Sequence, residues 1–119
     1  MTSDEIEALS DAELTKSVAE QVMRWIVSPS NQTIWYGHLS PITPWRPLDD
    51  WNHAMMAVEE MRAKGFCSII FTGIEEWEIQ FWPTAKLDMM VRFGASHTDP
   101  TAQRRAILQA ALMAIKETT

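Results

Sequence analysis

The side chains that could do chemistry are few and scattered. The histidines His38, His53 and His97 and the single Cys67 show no CxxC or HxxxH spacing, whereas metal ligands usually recur at short, regular intervals. Cys67, His53 and Asp49 could form a nucleophilic set, but we expect His53 on a helix and Cys67 in a buried strand. A thiol there has no neighbouring base to activate it. We therefore predict no catalytic residue, no metal site and no cofactor.

Glu76 and Glu78 form the one carboxylate pair whose spacing suits acid–base chemistry. On a strand they would share one face, about 7 Å apart. The sequence indicates no accompanying cleft, and its four isolated glycines form no phosphate-binding loop. We interpret the pair as a solvated strand edge and predict that the protein is not an enzyme.

Residues 28–48 have neither helical nor strand periodicity but are rich in aromatic residues and proline. Arg46 is the only Lys, Arg, Asp or Glu among them, and disordered segments are instead rich in charge and poor in aromatics. We expect an ordered segment, the aromatic flap, that is either a lid on the core or a protein-binding surface. Because Trp and Tyr rings dominate interface hot spots, the binding residues would be Trp35, Tyr36, His38, Trp45 and Arg46.

The charge of the chain restricts its partners. The net charge is −6, and residues 1–24 hold six acidic and two basic residues. Without a cluster of Lys and Arg, we expect no direct nucleic-acid binding, but a basic protein surface would be attracted. Residues 1–9 are interpreted as an acidic tail that lacks the features of a signal peptide. No apolar run approaches the roughly 20 residues of a membrane span, so we expect no membrane contact and a cytoplasmic location.

The first predicted helix has a clear start. Ser10 and Glu13 form an S-x-x-E capping box, and an apolar stripe follows as far as Ile26. It includes Trp25, which is therefore predicted to be core. Because the residue before a proline disfavours the helical conformation, we expect this helix to end at Ser28.

Two further helices are predicted from their ends. Asp49 or Asp50 would cap the second, and Gly65 would end it in the left-handed conformation. Asp99 followed by Pro100 would begin the third, with proline at its preferred first position.

Three strands are predicted between the second and third helices, at residues 66–72, 76–82 and 87–93. Their short connections permit only hairpins, which gives an antiparallel meander. We thus predict a single α+β domain over residues 1–119, in the order α-α-β-β-β-α, as a sandwich of helices and sheet.

The alternation of these strands predicts two unlike faces. The face expected under the helices comprises Cys67, Ile69, Phe71, Trp77, Ile79, Phe81, Leu87, Met89, Val91 and Phe93. The other face sets Phe66, Ile70, Trp82 and Met90 among charged residues, so it is too apolar to lie entirely in water. Either the flap or the first helix covers part of it, or a partner does, which makes Ile70, Trp82 and Met90 a second candidate binding surface. On this face, matching apolar positions would bring Glu78 close to Arg92.

Several stretches resemble the phage ABA sandwich domain, a family of small bacteriophage and prophage proteins. They are residues 14–25 (LTKSVAEQVMRW), the aromatic flap, and residues 54–65 with their AVEEMR run. The Trp77 strand and residues 105–112 (RAILQAAL) resemble the closing strand and helix of the family. The resemblance implies a phage origin and a sheet sandwiched by helices. That family has no established activity, so no functional residues carry over.

These features favour a phage-encoded, non-enzymatic accessory protein that binds a host protein. Its most concrete version is inhibition of bacterial antiviral defence, an anti-CRISPR type of role in the host cytoplasm. The alternative is a self-assembling phage structural or morphogenesis protein, in which the mixed face forms a homo-oligomer contact. A third hypothesis is an enzyme or small-ligand-binding protein with its pocket under the flap.

Overall fold

Four helices and two small antiparallel sheets make up the computed structural model, which describes residues 2–27, 35–37, 40–42 and 45–118. The helices are α1 (Ser3–Glu7), α2 (Asp11–Gln21), α3 (Trp51–Ala63) and α4 (Pro100–Glu117). One sheet contains β1 (Ile26–Val27), β2 (Trp35–Gly37) and β3 (Ser40–Ile42), and the other contains β4 (Phe66–Thr72), β5 (Glu76–Pro83) and β6 (Val91–Ser96). The predicted α+β class and the antiparallel meander of β4, β5 and β6 are confirmed.

The predicted capping box begins α2. The Ser10 hydroxyl accepts the Glu13 backbone N–H at 3.1 Å, and the Glu13 carboxylate accepts the Ser10 N–H at 3.0 Å. Donation from the Ser10 N–H, and then from its hydroxyl, holds the pKa of Glu13 below its ordinary value.

The end predicted for this helix is wrong, because α2 stops at Gln21 and not at Ser28. Arg24 adopts the left-handed conformation, with φ of 60°, and the Trp25 N–H donates to the Ala19 carbonyl at 2.9 Å. This reversal turns Trp25 back into the core, where it is buried as predicted.

Residues 1–9 are not a simple tail, since they contain α1. Thr2 and Glu5 form a second capping box, and Ile6 is fully buried in the core. The T-x-x-E spacing ahead of Ile6 was the available signal, but the acidic composition obscured it.

The predicted start and end of α3 and the predicted start of α4 are confirmed. The Asp50 carboxylate accepts the Asn52 N–H at 2.8 Å, and Gly65 has φ of 92° after the last turn of α3. The Asp99 carboxylate accepts the Ala102 N–H at 3.0 Å, and Pro100 is the first residue of α4.

Helix α4 is the centre of the fold. It packs against β5 and β6 on one side and against α1, α2 and α3 on its others, so it is buried nearly all round. The buried Gln103 amide donates to the Ser96 carbonyl at 2.9 Å and fixes the start of α4 to β6. The Arg105 guanidinium donates to the Leu9 carbonyl and the Asp11 carboxylate, and so fixes α4 to the junction of α1 and α2.

The last strand starts later than predicted. Residues 84–90 form turns in which the Lys86 N–H donates to Pro83 and the Met89 N–H to Lys86. Leu87 is consequently 68% exposed. Strand β6 begins at Val91, opposite Phe81, and extends to Ser96, opposite Glu76. The alternation of residues 87–93 runs unbroken through this boundary, so it could not indicate where pairing starts.

The face predicted for β4 is also wrong. Thr72 lies opposite Trp77 and Ile70 opposite Ile79, so Cys67, Ile69 and Phe71 point to the face away from the helices. The buried face is formed mainly by Trp77, Ile79, Phe81, Val91 and Phe93. Because both parities of β4 are apolar, hydrophobicity did not decide its orientation. The turn register decided it.

The predicted proximity of Glu78 and Arg92 is half right. Both lie on the same face, but Glu78 is opposite Gly94 and Arg92 is opposite Gln80. They are therefore diagonal neighbours, displaced by two residues from a direct pair.

Candidate functional site

The aromatic flap contributes Trp45 to the core. The Trp45 side chain is 5% exposed and its ring meets that of Trp25 edge-on, with centroids 5.1 Å apart. The Trp45 indole N–H donates to the His53 carbonyl at 3.2 Å. The Trp45 ring is thus packed inside the protein, and its indole N–H has a hydrogen-bond acceptor there. For Trp45, this geometry favours the lid over the exposed anchor.

The C-terminal end of the flap is held against α3 and α4. The backbone N–H of the exposed Arg46 donates to His53 Nδ1 at 2.8 Å. Arg104 Nε donates to the Leu48 carbonyl at 2.7 Å, and its guanidinium carbon lies 5.3 Å from the Trp51 ring centroid. These contacts fix the path of the backbone between Trp45 and α3.

The other predicted flap residues are described less fully. Trp35 and Tyr36 lie in β2, which pairs with β1 through Ile26 and Tyr36 and with β3 through Trp35 and Ile42. The side chains of Trp35 and Tyr36, and the whole of His38, lie outside the described residues. Their role at an interface stays a prediction.

The second predicted surface is divided by the register of β4. Trp82 is half-buried and lies opposite Cys67 on the face away from the helices. Met90 precedes β6, and its Sδ accepts from Arg92 Nε at 3.3 Å, so it adjoins that same face. Ile70 instead points to the opposite face with Ile79. Ile69 and Phe71 take the position expected for Ile70.

We call the surface formed by Cys67, Ile69, Phe71, Glu78, Gln80, Trp82 and Arg92 the open face. No helix in the described part of the chain packs on it. Two of its apolar side chains are well exposed, Ile69 at 40% and Phe71 at 50%. Both are bulky residues that a protein without a partner would usually bury.

The centre of the open face is ordered by a polar contact. The Gln80 amide donates to the Glu78 carboxylate at 2.7 Å, and Gln80 is only 8% exposed. Ile69 and Arg92 flank it on the neighbouring strands. This contact keeps the Glu78 carboxylate oriented, so the face carries a fixed acidic group beside apolar side chains.

A shallow hollow of about 410 Å³ lies at the hairpin end of this face. It is lined by Phe71, Thr72, Gly73, Glu76, Glu78 and Gln80. An aromatic ring and two carboxylates therefore surround a space large enough for one or two side chains of a partner. Glu76 and Glu78, interpreted from sequence as a solvated edge, form the acidic rim of this hollow.

The nucleophilic set considered from sequence is not assembled. Cys67 lies on the open face, whereas α3, which carries His53, packs on the other side of the sheet with Trp51 against Trp77. His53 Nδ1 already accepts from Arg46, and Nε2 lies 3.8 Å from the Asp50 carboxylate. Within residues 2–27 and 45–118, no group of three or more His, Cys, Asp or Glu could hold a metal ion.

Ile69 and Phe71 are the site residues that sequence reasoning missed. Their parity relative to Trp77 depends on the three-residue connection of Gly73, Ile74 and Glu75, where the Gly73 N–H donates to the Glu76 carbonyl at 2.7 Å. The charged residues at Glu76 and Glu78 were the usable signal, since Phe71 and Ile69 lie opposite Glu78 and Gln80.

Comparison with known proteins identifies no relative. Scans against protein-family models, curated proteins and solved structures found no match to this chain. The resemblance to the phage ABA sandwich domain stays a prediction. Separately, no helix among the described residues is long and apolar enough to cross a membrane.

Proposed function

We propose that this protein acts without chemistry of its own, by binding another protein through the open face. The observation that carries the proposal is the exposure of Ile69 and Phe71 beside the half-buried Trp82 on an ordered sheet. Aromatic and aliphatic anchors with a polar surround are the usual composition of an interface centre. A rigid sheet also presents them at little entropic cost.

The charge of the open face specifies the partner chemistry. Glu76 and Glu78 rim the hollow next to Phe71, and the whole chain carries −6. The complementary partner presents an apolar side chain flanked by Lys or Arg. The apolar group would fill the hollow, while the basic groups would speed the encounter and fix the register.

The setting of this binding is proposed from the family resemblance. A phage-encoded protein of this kind would bind a host bacterial protein, and inhibition of antiviral defence is its most concrete version. A stoichiometric inhibitor needs a binding surface and no catalytic group, which agrees with the features of the open face. The flap residues Trp35, Tyr36 and His38 remain candidates for extending that surface.

The binding surface is tested by affinity purification from a bacterial lysate with three tagged proteins. They are the parent chain, the open-face variant Phe71→Ser, and the control Leu87→Ser, which alters an even more exposed apolar residue in the turns before β6. We expect the parent and Leu87→Ser to retain the same basic protein and Phe71→Ser to lose it. Equal retention by all three folded proteins would contradict the open face as the interface.

The counter-defence role has its own test. The chain is expressed in bacteria with and without an active antiviral defence, and phage plaques are counted. We expect plaques to be restored only where the defence is active, and to be lost again with Phe71→Ser. If the parent restores no plaques against any of several defence types, the counter-defence role is contradicted. The proposal of protein binding would then still be tested by the purification.

A further inference from the structure

We propose that the outer edge of β4 pairs antiparallel with β4 of a second copy of this chain, which joins two three-stranded sheets into one of six strands. This inference goes beyond the proposed function, because it requires no other protein. It concerns the backbone edge of β4 with which no described strand pairs, whereas the proposed function concerns the side chains of the open face.

The backbone of β4 is available for such pairing. Among the described residues, strand β4 lies at the edge of its sheet and pairs with β5 alone over seven consecutive residues, without a bulge. Its sequence, FCSIIFT, contains no charge and no proline. Natural edge strands are usually blunted by one of these devices. The other edge strand, β6, carries Arg92, and Ser3 of α1 lies with Val91 and Arg92 around a hollow at its start.

The side chains of β4 are exposed on both faces of the sheet. Beyond the buried Phe66 and the half-buried Cys67, every residue of the strand is exposed. Ile69 and Phe71 point to the open face, and Ile70, at 37% exposure, points to the other. Pairing with a second β4 would give Ile69 and Phe71 cross-strand apolar partners on the open face.

The charges beside β4 favour an antiparallel arrangement with an identical chain. Arg62 and Lys64 precede the strand, with Lys64 also paired to Glu60 at 3.3 Å, and Glu75 and Glu76 follow it. Antiparallel pairing brings the basic end of one copy to the acidic end of the other. Parallel pairing would bring like charges together, so the antiparallel two-fold arrangement is the complementary one.

A two-fold axis at Ile69 uses the full length of the strand. Ile69 then faces Ile69 of the second copy, Ser68 faces Ile70, and Cys67 faces Phe71. An axis perpendicular to the sheet keeps both open faces on the same side. The dimer would therefore present two copies of the proposed protein-binding surface side by side.

The first test is the mass of the protein alone, measured by sedimentation equilibrium between about 10 and 500 µM. We expect the parent to move from 13.6 kDa toward twice that mass. Ile69→Lys should stay monomeric at every concentration, because two like charges would face each other at the axis. The matched control, Ile74→Lys, alters a residue that is 93% exposed in the adjoining turn and should behave as the parent. A parent that is monomeric throughout, or a dimer unaffected by Ile69→Lys, would overturn the proposal.

The second test remains decisive if Ile69→Lys fails to fold. In a Cys67→Ser background, Ile69→Cys places two thiols opposite each other, with Cα atoms about 4.5–5.5 Å apart, within disulfide range. Ile74→Cys in the same background places them about 34 Å apart, ten residues along the ladder. Under mild oxidation we expect a covalent dimer for Ile69→Cys only. Equal cross-linking of both variants, or of neither, would overturn the register. Neither test uses the lysate partner, so their failure is distinct from failure of the proposed function.

Discussion

The two faces of the β4–β6 sheet differ in what covers them more than in what they contain. Ile79 and Phe81 lie on the face under α4 and are fully buried. The open face carries the same residue types, Ile69 and Phe71, yet leaves both exposed. The hydrophobicity of a strand residue therefore does not by itself distinguish a core position from an exposed one in this protein. The register of one hairpin decides which residues become which.

A second contrast concerns the aromatic rings. By composition the flap was the better candidate for an exposed anchor, but Trp45 packs on Trp25 and its indole N–H is bonded to His53. The strand β4 was predicted to be core and supplies the exposed side chains instead. An aromatic residue in a proline-rich segment can thus pack into the core, while a strand predicted to be core supplies the exposed surface.

The largest expected difference between the two faces is tested by a matched pair of phenylalanines. Phe81→Ala should lower the free energy of unfolding by about 3–5 kcal/mol, because it leaves a cavity under α4. Phe71→Ala should cost less than about 1 kcal/mol, since half of that side chain is already in water. Urea unfolding of both variants measures the contrast. Equal losses would mean that the two residues share one environment and would contradict the register.

The lid assignment predicts a similar but separate loss for Trp45. Trp45→Ala removes a buried ring and its hydrogen bond to His53, so it should cost about 3–5 kcal/mol. Trp82→Ala, on the open face, serves as the control and should cost clearly less. A Trp45→Ala protein as stable as the parent would return this residue to the candidates for an exposed anchor.

A smaller effect is expected at the start of α2. Ser10→Ala should cost about 1 kcal/mol, the usual consequence of a lost N-cap. Thr2→Ala removes the equivalent cap of α1, but α1 has only five residues, so it should cost less. Thermal melts of both variants make the comparison. A melt unchanged by Ser10→Ala would show that the cap does not stabilise the helix-covered side.

The smallest expected effect is a pH dependence from Glu13. Its pKa is lowered in the folded protein by the hydrogen bonds from Ser10, relative to an ordinary value of 4.5. The stabilisation is therefore present above pH 4.5 and is lost as the pH falls through the folded pKa. The stability difference between the parent and Glu13→Gln should shrink between neutral pH and about pH 3. A difference independent of pH would rule out this linkage.

The sequence predicted those features that depend on local chemistry. The caps at Ser10, Asp50 and Asp99 and the left-handed Gly65 follow from side chains within a few residues, and all are confirmed. The face of β4 and the start of β6 depend on pairing between strands. Apolar residues occur on both parities of β4, and the alternation of residues 87–93 continues past the start of β6. Local sequence therefore determines neither the face of β4 nor the start of β6.

The candidate site was predicted only in part for the same reason. Trp82 was assigned to the correct face because the alternation in β5 is regular. Ile69 and Phe71 were assigned to the core because β4 has no charged residue, and its two polar residues, Ser68 and Thr72, lie on the parity that faces the helices. The burial of Trp45 depends on Arg24, whose left-handed conformation turns Trp25 into the core. A nonglycine residue in that conformation has no reliable sequence signal.

The reactivity of Cys67 tests the proposed interface most directly. It is the only cysteine and lies half-buried on the open face, so a thiol reagent reports on that face in the unaltered chain. We predict that the reagent labels Cys67 in the isolated folded protein. In the complex with the captured partner, the labelling rate should fall at least about tenfold, because a closed interface excludes the reagent. Labelling at the same rate in the isolated chain and in the complex would contradict the open face as the binding surface.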